Sequence, residues 1–398
     1  MIDIRHKKDC CGCEACVQKC PKQCISLSLD EEGFIYPKVD ISSCINCHLC
    51  EKVCPIINCD SILPAINPKQ SLAVKNRNDN VRINSSSGGI FISLAKHIID
   101  NEGIVFGAVF DDEFGVKHTN GESLAEIHPM MRSKYVQSRI GNSFSEAESF
   151  LKQGKKVLFT SSPCQIAGLH TYLGKEYPNL FTVDIVCHGV PGPGIWRRYL
   201  NDLLHGSKVS SISFREKNGY SWSHYGLKIA TTDQILYKDY ASNNAYMRAF
   251  LSDNSLRPSC YSCKHKRRSG ADITMGDFWG IKNVLPEFAD ETGISMVVIN
   301  TDKGSLLFKA LQDLETEEVD ISILINCNRS FGQSSPIPFS RRRFFRLMKN
   351  KSLNFDDIVR KIMPFPHQQT SIQRILFFPT RVFRLLYRRF QQLQNFVK

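Results

Sequence analysis

The 398-residue chain contains 16 cysteines, and their spacing is the sequence feature best suited to support chemistry. Eleven of them lie between residues 10 and 59, where two runs repeat the pattern C-x2-C-x2-C-x3-C followed by proline. Closely spaced thiolates of this kind bind transition metals or metal clusters. The first run is Cys10, Cys13, Cys16 and Cys20, and the second is Cys44, Cys47, Cys50 and Cys54.

The repeated pattern is typical of bacterial two-cluster ferredoxins, in which the fourth cysteine of each run binds the other cluster. Zinc is the alternative, but zinc sites usually pair two short cysteine knuckles rather than two identical four-cysteine runs. Three surplus cysteines, Cys11, Cys24 and Cys59, are expected to be small buried apolar residues. The pattern predicts one [4Fe-4S] cluster on Cys10, Cys13, Cys16 and Cys54, and a second on Cys44, Cys47, Cys50 and Cys20.

Four more cysteines follow further along the chain. Cys164 and Cys187 each end a strand-like stretch, and Cys260 and Cys263 form a C-x2-C pair. Two strand ends and one such pair can converge on a third four-thiolate site. A zinc site, a disulfide and unrelated buried thiols remain open on spacing alone.

Hydrophobic patterning predicts the elements that position these cysteines. Two strand-like stretches with a turn between them predict a small hairpin inside a ferredoxin-like module. Later stretches typical of buried strands alternate with helical ones, which predicts an α/β domain around a mainly parallel sheet. The hairpin strands are 25–29 and 34–36, the later strands are 103–110, 157–160 and 182–186, and the helices are 90–99 and near 144–153.

These patterns divide the chain into four parts, in an overall α+β or α/β class. The ferredoxin-like module occupies 1–60, and residues 61–71, which contain Pro, Ser and Asn without periodicity, are expected to be a linker. The main α/β domain occupies 72–337, and a basic helical tail occupies 338–398.

The positive charge of the chain lies in this tail. The formal net charge is +12, and residues 338–398 hold 14 Lys and Arg against 2 Asp and Glu. The neutral remainder argues against nucleic acid as a partner. From Pro379 the pattern predicts a basic amphipathic helix, which either contacts an anionic membrane surface peripherally or packs on protein.

No run of 18 apolar residues is present, and the N-terminus lacks an apolar segment. Neither a membrane-spanning helix nor a secretory signal is therefore expected, and the protein is predicted to be cytoplasmic. In that compartment the cysteines are expected to serve metal or redox chemistry rather than disulfides.

Five motifs resemble one protein family. Together they look like the coenzyme F420 hydrogenase/dehydrogenase beta-subunit family, and the resemblance covers roughly residues 1–335 in order. The motifs are Ser-Ser-Gly-Gly at 86–89, Ser-Lys-Tyr-Val-Gln-Ser at 133–138, Pro-Cys-Gln-Ile at 163–166, Asp-Ile-Val-Cys-His-Gly-Val-Pro at 184–191 and Ala-Asp-Ile-Thr-Met-Gly-Asp-Phe-Trp-Gly at 271–280.

The resemblance implies a flavin, expected to be FAD, and a [4Fe-4S] cluster in the main domain, behind a two-cluster ferredoxin module. The ligands it implies for this third cluster are Cys164, Cys187, Cys260 and Cys263. The family includes F420-reducing subunits and reductases of chlorophyll derivatives. Many bacterial members have no known substrate, and some are associated with surface polysaccharide synthesis.

A flavin needs its phosphates held, and Ser86, Ser87, Gly88 and Gly89 precede a helix whose free N–H groups suit this role. An ordinary helix cap is the alternative. As catalytic candidates we select His188, which can move a proton or bind the flavin, and Asp277. The cationic, hydroxyl and amide groups expected near the pyrophosphate or the ring edge are those of Ser133, Lys134, Tyr135, Gln137 and Ser138.

The sequence therefore predicts an iron–sulfur flavoprotein oxidoreductase that reduces a small substrate. The expected electron source is an external carrier: ferredoxin, flavodoxin, an NAD(P)H-linked carrier or coenzyme F420. The alternative is an electron-transfer subunit without its own substrate, which serves a partner redox subunit. A metal-site scaffold without redox function is a third, weaker hypothesis.

Overall fold

The computed structural model describes residues 1–59 and 67–363, and its largest feature is a mixed β-sheet. The strands are β1 (Ile25–Leu29), β2 (Ile35–Val39), β3 (Gln70–Asn76), β4 (Ile104–Phe110), β5 (Val116–Gly121), β6 (Val157–Ser161), β7 (Leu180–Ile185), β8 (Val209–Glu216), β9 (Gly226–Thr231), β10 (Ile235–Tyr240), β11 (Ile273–Asp277), β12 (Ser295–Ile299) and β13 (Leu314–Glu318).

Helices connect most of these strands. Short 3-10 helices lie at Lys7–Asp9, His128–Met130, Ala241–Asn243 and Pro258–Ser262. The α-helices are α1 (Ala15–Gln18), α2 (Leu49–Lys52), α3 (Asp79–Ile83), α4 (Ile90–Asp100), α5 (Leu124–Ile127), α6 (Ser143–Lys152), α7 (Pro163–Leu173), α8 (Pro193–Leu204), α9 (Ala245–Leu251), α10 (Ile281–Val284), α11 (Asp302–Lys309), α12 (Ile321–Cys327), α13 (Arg329–Gly332), α14 (Arg341–Met348) and α15 (Phe355–Ile362).

Within the described residues the main sheet has eight strands in the order β13-β3-β12-β11-β7-β6-β4-β5. The predicted α/β class is confirmed, but the sheet is mixed rather than mainly parallel. Only the neighbours β4–β6, β6–β7 and β7–β11 are parallel, and the other four pairs are antiparallel. The three strands predicted from sequence for the main domain, β4, β6 and β7, all belong to the parallel centre, whereas the antiparallel flanks were not predicted.

Both faces of the central strands are covered by helices. In β6, Leu158 packs towards α4, and Val157 and Phe159 pack towards α6 and α7. Successive strand residues point to opposite faces, so a strand buried on both faces reads as a continuous apolar run. This burial explains why β6 was recognisable from its sequence.

The N-terminal module docks directly on the main domain. The β1–β2 hairpin is antiparallel, as predicted, and helices α1 and α2 follow the two cysteine loops. Glu14 pairs with Arg139 at 2.5 Å, and the Gln18 side chain accepts from the backbone N–H of Phe144 and Ser145. The module is therefore held in a fixed relation to the sheet.

Two segments differ from the layout expected from sequence. Strand β3 begins at Gln70, inside the stretch predicted as a linker. Residues 338–363 of the predicted tail form α14 and α15, whose Phe344, Phe355 and Ile358 are buried in the core of the main domain. The helix predicted from Pro379 lies outside the described residues. None of the helices in the described ranges has the length and apolar character needed to cross a bilayer.

Candidate iron–sulfur and flavin sites

The four cysteines predicted to bind the first cluster line one cavity. The loop that carries Cys13 passes close to helix α7 at Gly168, where an added Cβ would lie 2.9 Å from Cys13 Cβ. A glycine is needed there because the loop approaches the helix backbone so closely. Five cysteines line this cavity, called the first cavity below: the four predicted ligands Cys10, Cys13, Cys16 and Cys54, and the surplus Cys11.

The other four predicted ligands of the module line a second cavity. The Cys47 side chain is exposed, and the Ile2 N–H donates to Cys50 Sγ at 3.2 Å. The crossed ligand sets predicted from spacing therefore surround two separate cavities. Five cysteines line the second cavity: the predicted ligands Cys20, Cys44, Cys47 and Cys50, and the surplus Cys24, whose Sγ lies 3.4 Å from Cys20 Sγ.

A third cavity gathers the remaining predicted ligands. Cys164 follows the end of β6 and Cys187 follows the end of β7. These strands are parallel neighbours, so their carboxyl ends meet at one edge of the sheet. The backbone N–H of Arg257 donates to Val190 O and ties the 3-10 helix of the C-x2-C pair to this edge. The predicted ligands lining the third cavity are Cys164, Cys187, Cys260 and Cys263.

The surplus residue Cys11 lies between the first and third cavities. Cys11 and Ile56 line both of them, so the two cavities are neighbours. The structure buries all three surplus cysteines, Cys11, Cys24 and Cys59, as their composition predicts. The position of Cys11 between two ligand sets was not visible in its spacing.

Burial makes it costly to deprotonate the thiols of these sets. Burial raises the pKa of Cys187 to about 12 and raises the pKa of Cys16 and Cys260. Thiolates at these positions would therefore need a neighbouring positive charge, which a bound metal cluster would supply. In residues 1–59 and 67–363, no group of three or more His, Cys, Asp and Glu is arranged to hold a single metal ion. Each set of four thiols instead surrounds a cavity.

A fourth, much larger cavity of about 370 Å³ opens at the carboxyl ends of β6, β7 and β11. Its volume is in the range of cofactor and ligand pockets, roughly 300–1,000 Å³. Cys164 and Cys187 line both this cavity and the third one. Two residues of the predicted third ligand set therefore form part of its wall.

The serine-glycine motif forms another part of the wall. Gly89 is the N-cap of α4, with a left-handed φ of 86° and no side-chain cap, so the first-turn N–H groups remain available to a ligand. Ser86, Ser87 and Gly89 line the cavity. Gly88 does not: its N–H donates to Ser295 Oγ at 2.9 Å, and it packs on the sheet. The expected role of Gly88 in cofactor binding is thus replaced by a structural one.

The segment 133–138 lines the same cavity. Ser133 donates to Ser86 Oγ through its N–H and its hydroxyl, at 2.7 and 3.0 Å. Lys134 Nζ donates to three backbone carbonyls, and burial lowers its pKa to about 7. Tyr135 stacks on Phe250. These residues form a wall of the cavity.

Two residues of this segment face the cluster loops as well. Gln137 Nε2 donates to Cys11 O at 3.0 Å, and Gln137 also lines the first cavity. The Ser138 hydroxyl donates to Gln165 Oε1, and Gln165 in turn donates to Ser138 O. Gln137 thus links the large cavity to the first cluster loop.

The two predicted catalytic residues both line the large cavity but differ in their surroundings. His188 Nε2 lies 2.8 Å from Asp253 Oδ1, although the two groups are not aligned as a hydrogen bond. Asp277 accepts from Arg215 at 2.9 Å and from Trp222 Nε1 at 2.8 Å. Because these bonds hold its carboxylate, Asp277 is better suited to fix Arg215 than to transfer protons.

Two further polar residues, Arg215 and His118, line the wall. Within the described residues, Arg215 Nε and His118 Nδ1 have no hydrogen-bond partner. The His118 pKa is lowered to about 4 by burial, and its Nε2 faces Thr160 O, which only accepts. The neutral ring therefore leaves Nδ1 as an acceptor. Unsatisfied polar groups at a cavity are suited to a polar cofactor.

Two family models match parts of the chain. Residues 154–322 match the family model for the C terminus of the coenzyme F420 hydrogenase/dehydrogenase beta subunit, and residues 9–57 match that of a 4Fe-4S dicluster domain. A chain from the F420-reducing [NiFe] hydrogenase complex of Methanosarcina barkeri is similar, with 18% identity and a TM-score of 0.43, over 70% of this chain and 99% of that chain. No curated protein matches.

Proposed function

Because this chain belongs to the coenzyme F420 hydrogenase/dehydrogenase beta-subunit family, with an iron–sulfur module in front, we propose that it is an iron–sulfur flavoprotein oxidoreductase. It takes electrons from an external carrier and reduces a small substrate. The family match supports iron–sulfur electron transfer. The flavin, the reducing direction and the substrate are our proposals.

The contiguity of the cavities carries the proposal. Cys11 and Ile56 are shared by the first and third cavities, and Cys164 and Cys187 are shared by the third and the large one. The second cavity lies in the same small module as the first and reaches the surface at Cys47. The first, third and large cavities are therefore contiguous through shared residues, and the second cavity lies in the same module as the first.

When bound, the clusters would supply one-electron transfer and the flavin would convert it to two-electron chemistry. The residues that would hold the clusters are the three sets of four cysteines. For the flavin, the uncapped N-terminus of α4 offers N–H donors to a phosphate, and Ser86 and Ser133 place hydroxyls beside it. Lys134, with its pKa lowered to about 7, can carry charge or lose it at neutral pH.

A proton for the substrate has a natural position at His188. Its ring lines the large cavity, and Phe250 contacts it edge-on at 5.1 Å between centroids. Asp253 Oδ1 lies 2.8 Å from Nε2, so a proton on that nitrogen has an anionic neighbour. We therefore assign proton transfer to His188, with Asp253 as its neighbouring charge.

The description of the family as a beta subunit favours a second candidate, an electron-transfer subunit with no substrate of its own. Two apolar residues on the wall of the large cavity are exposed, Ile185 by 41% and Leu251 by 47%. A partner protein that covered them would close the cavity. Reduction of a soluble two-electron acceptor by the isolated chain would favour the first candidate, and activity only after addition of a partner would favour the second.

Anaerobic purification with quantification of iron, acid-labile sulfide and flavin tests the proposal. We expect about twelve irons and about one flavin per chain. About eight irons would confine the clusters to the module and remove the third one. Zinc in place of iron, with no flavin, would refute electron transfer.

A further inference from the structure

Arg257 is a buried cation next to the first ligand set. Its side chain is 0% exposed, and it lies three residues before Cys260 in the chain. No carboxylate of the described residues forms an ion pair with it. A buried guanidinium without an acidic partner is costly unless another negative charge lies close by.

The hydrogen bonds of Arg257 converge on the first cluster loop. Nε donates to Cys10 O at 2.8 Å, and Nη2 lies 3.5 Å from Cys10 Sγ in donor geometry. Nη2 also donates to Ile35 O, and Nη1 donates to Gln137 Oε1, both at 3.0 Å. The guanidinium is thus fixed from several sides with one edge on a ligand sulfur.

The neighbouring backbone makes room for this contact. Gly12 has a left-handed φ of 72°, and an added Cβ would lie 3.0 Å from Arg257 Cζ and 2.5 Å from Gln137 Nε2. The Tyr36 ring covers the guanidinium at 4.2 Å. The loop between the first two ligands is therefore shaped around the arginine.

We propose that Arg257 is a positioning residue that raises the reduction potential of the first cluster through its hydrogen bond to Cys10 Sγ and its buried charge. The inference rests on the proposed function, since it requires a cluster on the first ligand set. A cluster gains negative charge on reduction, so a fixed cation and a donor to a ligand sulfur stabilise the reduced form.

The second cavity lacks an equivalent group among the described residues. The cations that line it are the exposed Lys22, the exposed His48 when protonated, and the N-terminus of Met1. Solvent screens such charges much more than a buried one. The first cluster should therefore have the higher potential, which favours electron movement from the outer cluster inwards.

The test is a spectroscopic redox titration of the loaded protein under anaerobic conditions. Arg257→Met should shift the potential of the first cluster to more negative values. Arg257→Lys should shift it less, because the positive charge remains while the planar set of guanidinium N–H donors is lost. Cys16→Ser, which changes a ligand of that cluster alone, identifies its signal. Arg341→Met is the matched control: Arg341 also joins the module to the main domain, but Glu32 neutralises it through two hydrogen bonds.

The outcomes separate this inference from the proposed function. A wild-type protein without iron and sulfide would refute the proposed function itself. Normal iron and sulfide with an unchanged first-cluster potential in both Arg257 variants would refute the role of Arg257. An equal shift of all clusters would also refute it, because it would indicate a general structural effect. If the Arg257→Met protein does not bind the first cluster, the first-cluster potential of the Arg257→Lys protein tests the inference instead.

Discussion

Arg215 and Asp277 form an ion pair in the wall of the large cavity, with Nη2 2.9 Å from Oδ1. The pair joins β8, which belongs to a separate three-stranded sheet, to β11 of the main sheet. Arg215 is only 1% exposed, and the Tyr225 ring lies 3.9 Å from its Cζ. The pair therefore fixes one side of the proposed flavin site.

Asp277→Asn should destabilise the protein by about 3 kcal/mol, because it leaves the buried charge of Arg215 without its partner. Denaturant unfolding under anaerobic conditions measures the loss. Glu291→Gln is the control, since the exposed pair of Glu291 and Lys282 is worth at most about 1 kcal/mol. Equal losses in the two variants would contradict the importance of the buried pair.

The buried Lys217 should make the free energy of unfolding depend on pH. It is buried, Nζ donates to the carbonyls of Arg82, Ser87 and Thr292, and burial followed by the charge of Arg215 lowers its pKa to about 7. The unfolded chain keeps the proton up to its ordinary pKa near 10.5, so unfolding takes up a proton between about pH 7 and 10.5.

Stability should therefore rise with pH in that window, by at most about 1.4 kcal/mol per pH unit from this group. Unfolding of wild type and Lys217→Met at pH 7, 8 and 9 measures the slope. We expect a smaller slope in the variant, whatever its stability at pH 7. Equal slopes would show that Lys217 stays protonated in the folded protein.

Cys187→Ser should remove the third cluster and lower the iron content from about twelve to about eight per chain. The control is Cys327→Ser: Cys327 ends α12 and belongs to none of the three ligand sets. It should keep the wild-type iron content. Full iron in Cys187→Ser would remove Cys187 from the ligand set.

Ser133→Leu should weaken flavin retention about tenfold or more, since a larger side chain beside Ser86 overpacks the cavity at a cost of about 1–3 kcal/mol. Flavin released from the purified protein measures the effect. Ser207→Leu places the same change on an exposed residue after α8 and should retain the flavin. Normal flavin in Ser133→Leu would place the cofactor elsewhere.

The sequence by itself predicted the ligand sets of the module, because the ferredoxin pattern depends on local loop geometry and on the crossing of the fourth cysteine. It also determined the central strands, since burial on both faces leaves a continuous apolar run in strands such as β6. The helix α4 and its serine-glycine start were likewise visible, because both are local features of the chain.

Only the tertiary structure decided how distant parts of the chain meet. The convergence of Cys164 and Cys187 depends on the parallel pairing of β6 and β7, which no local pattern encodes. Arg257 and His118 were missed for the same reason: each acquires its surroundings from residues far away in the chain. Gly88 belongs to a motif that the sequence identified, but it does not line the cavity. A motif identifies a segment, and only packing decides which of its residues face the cavity.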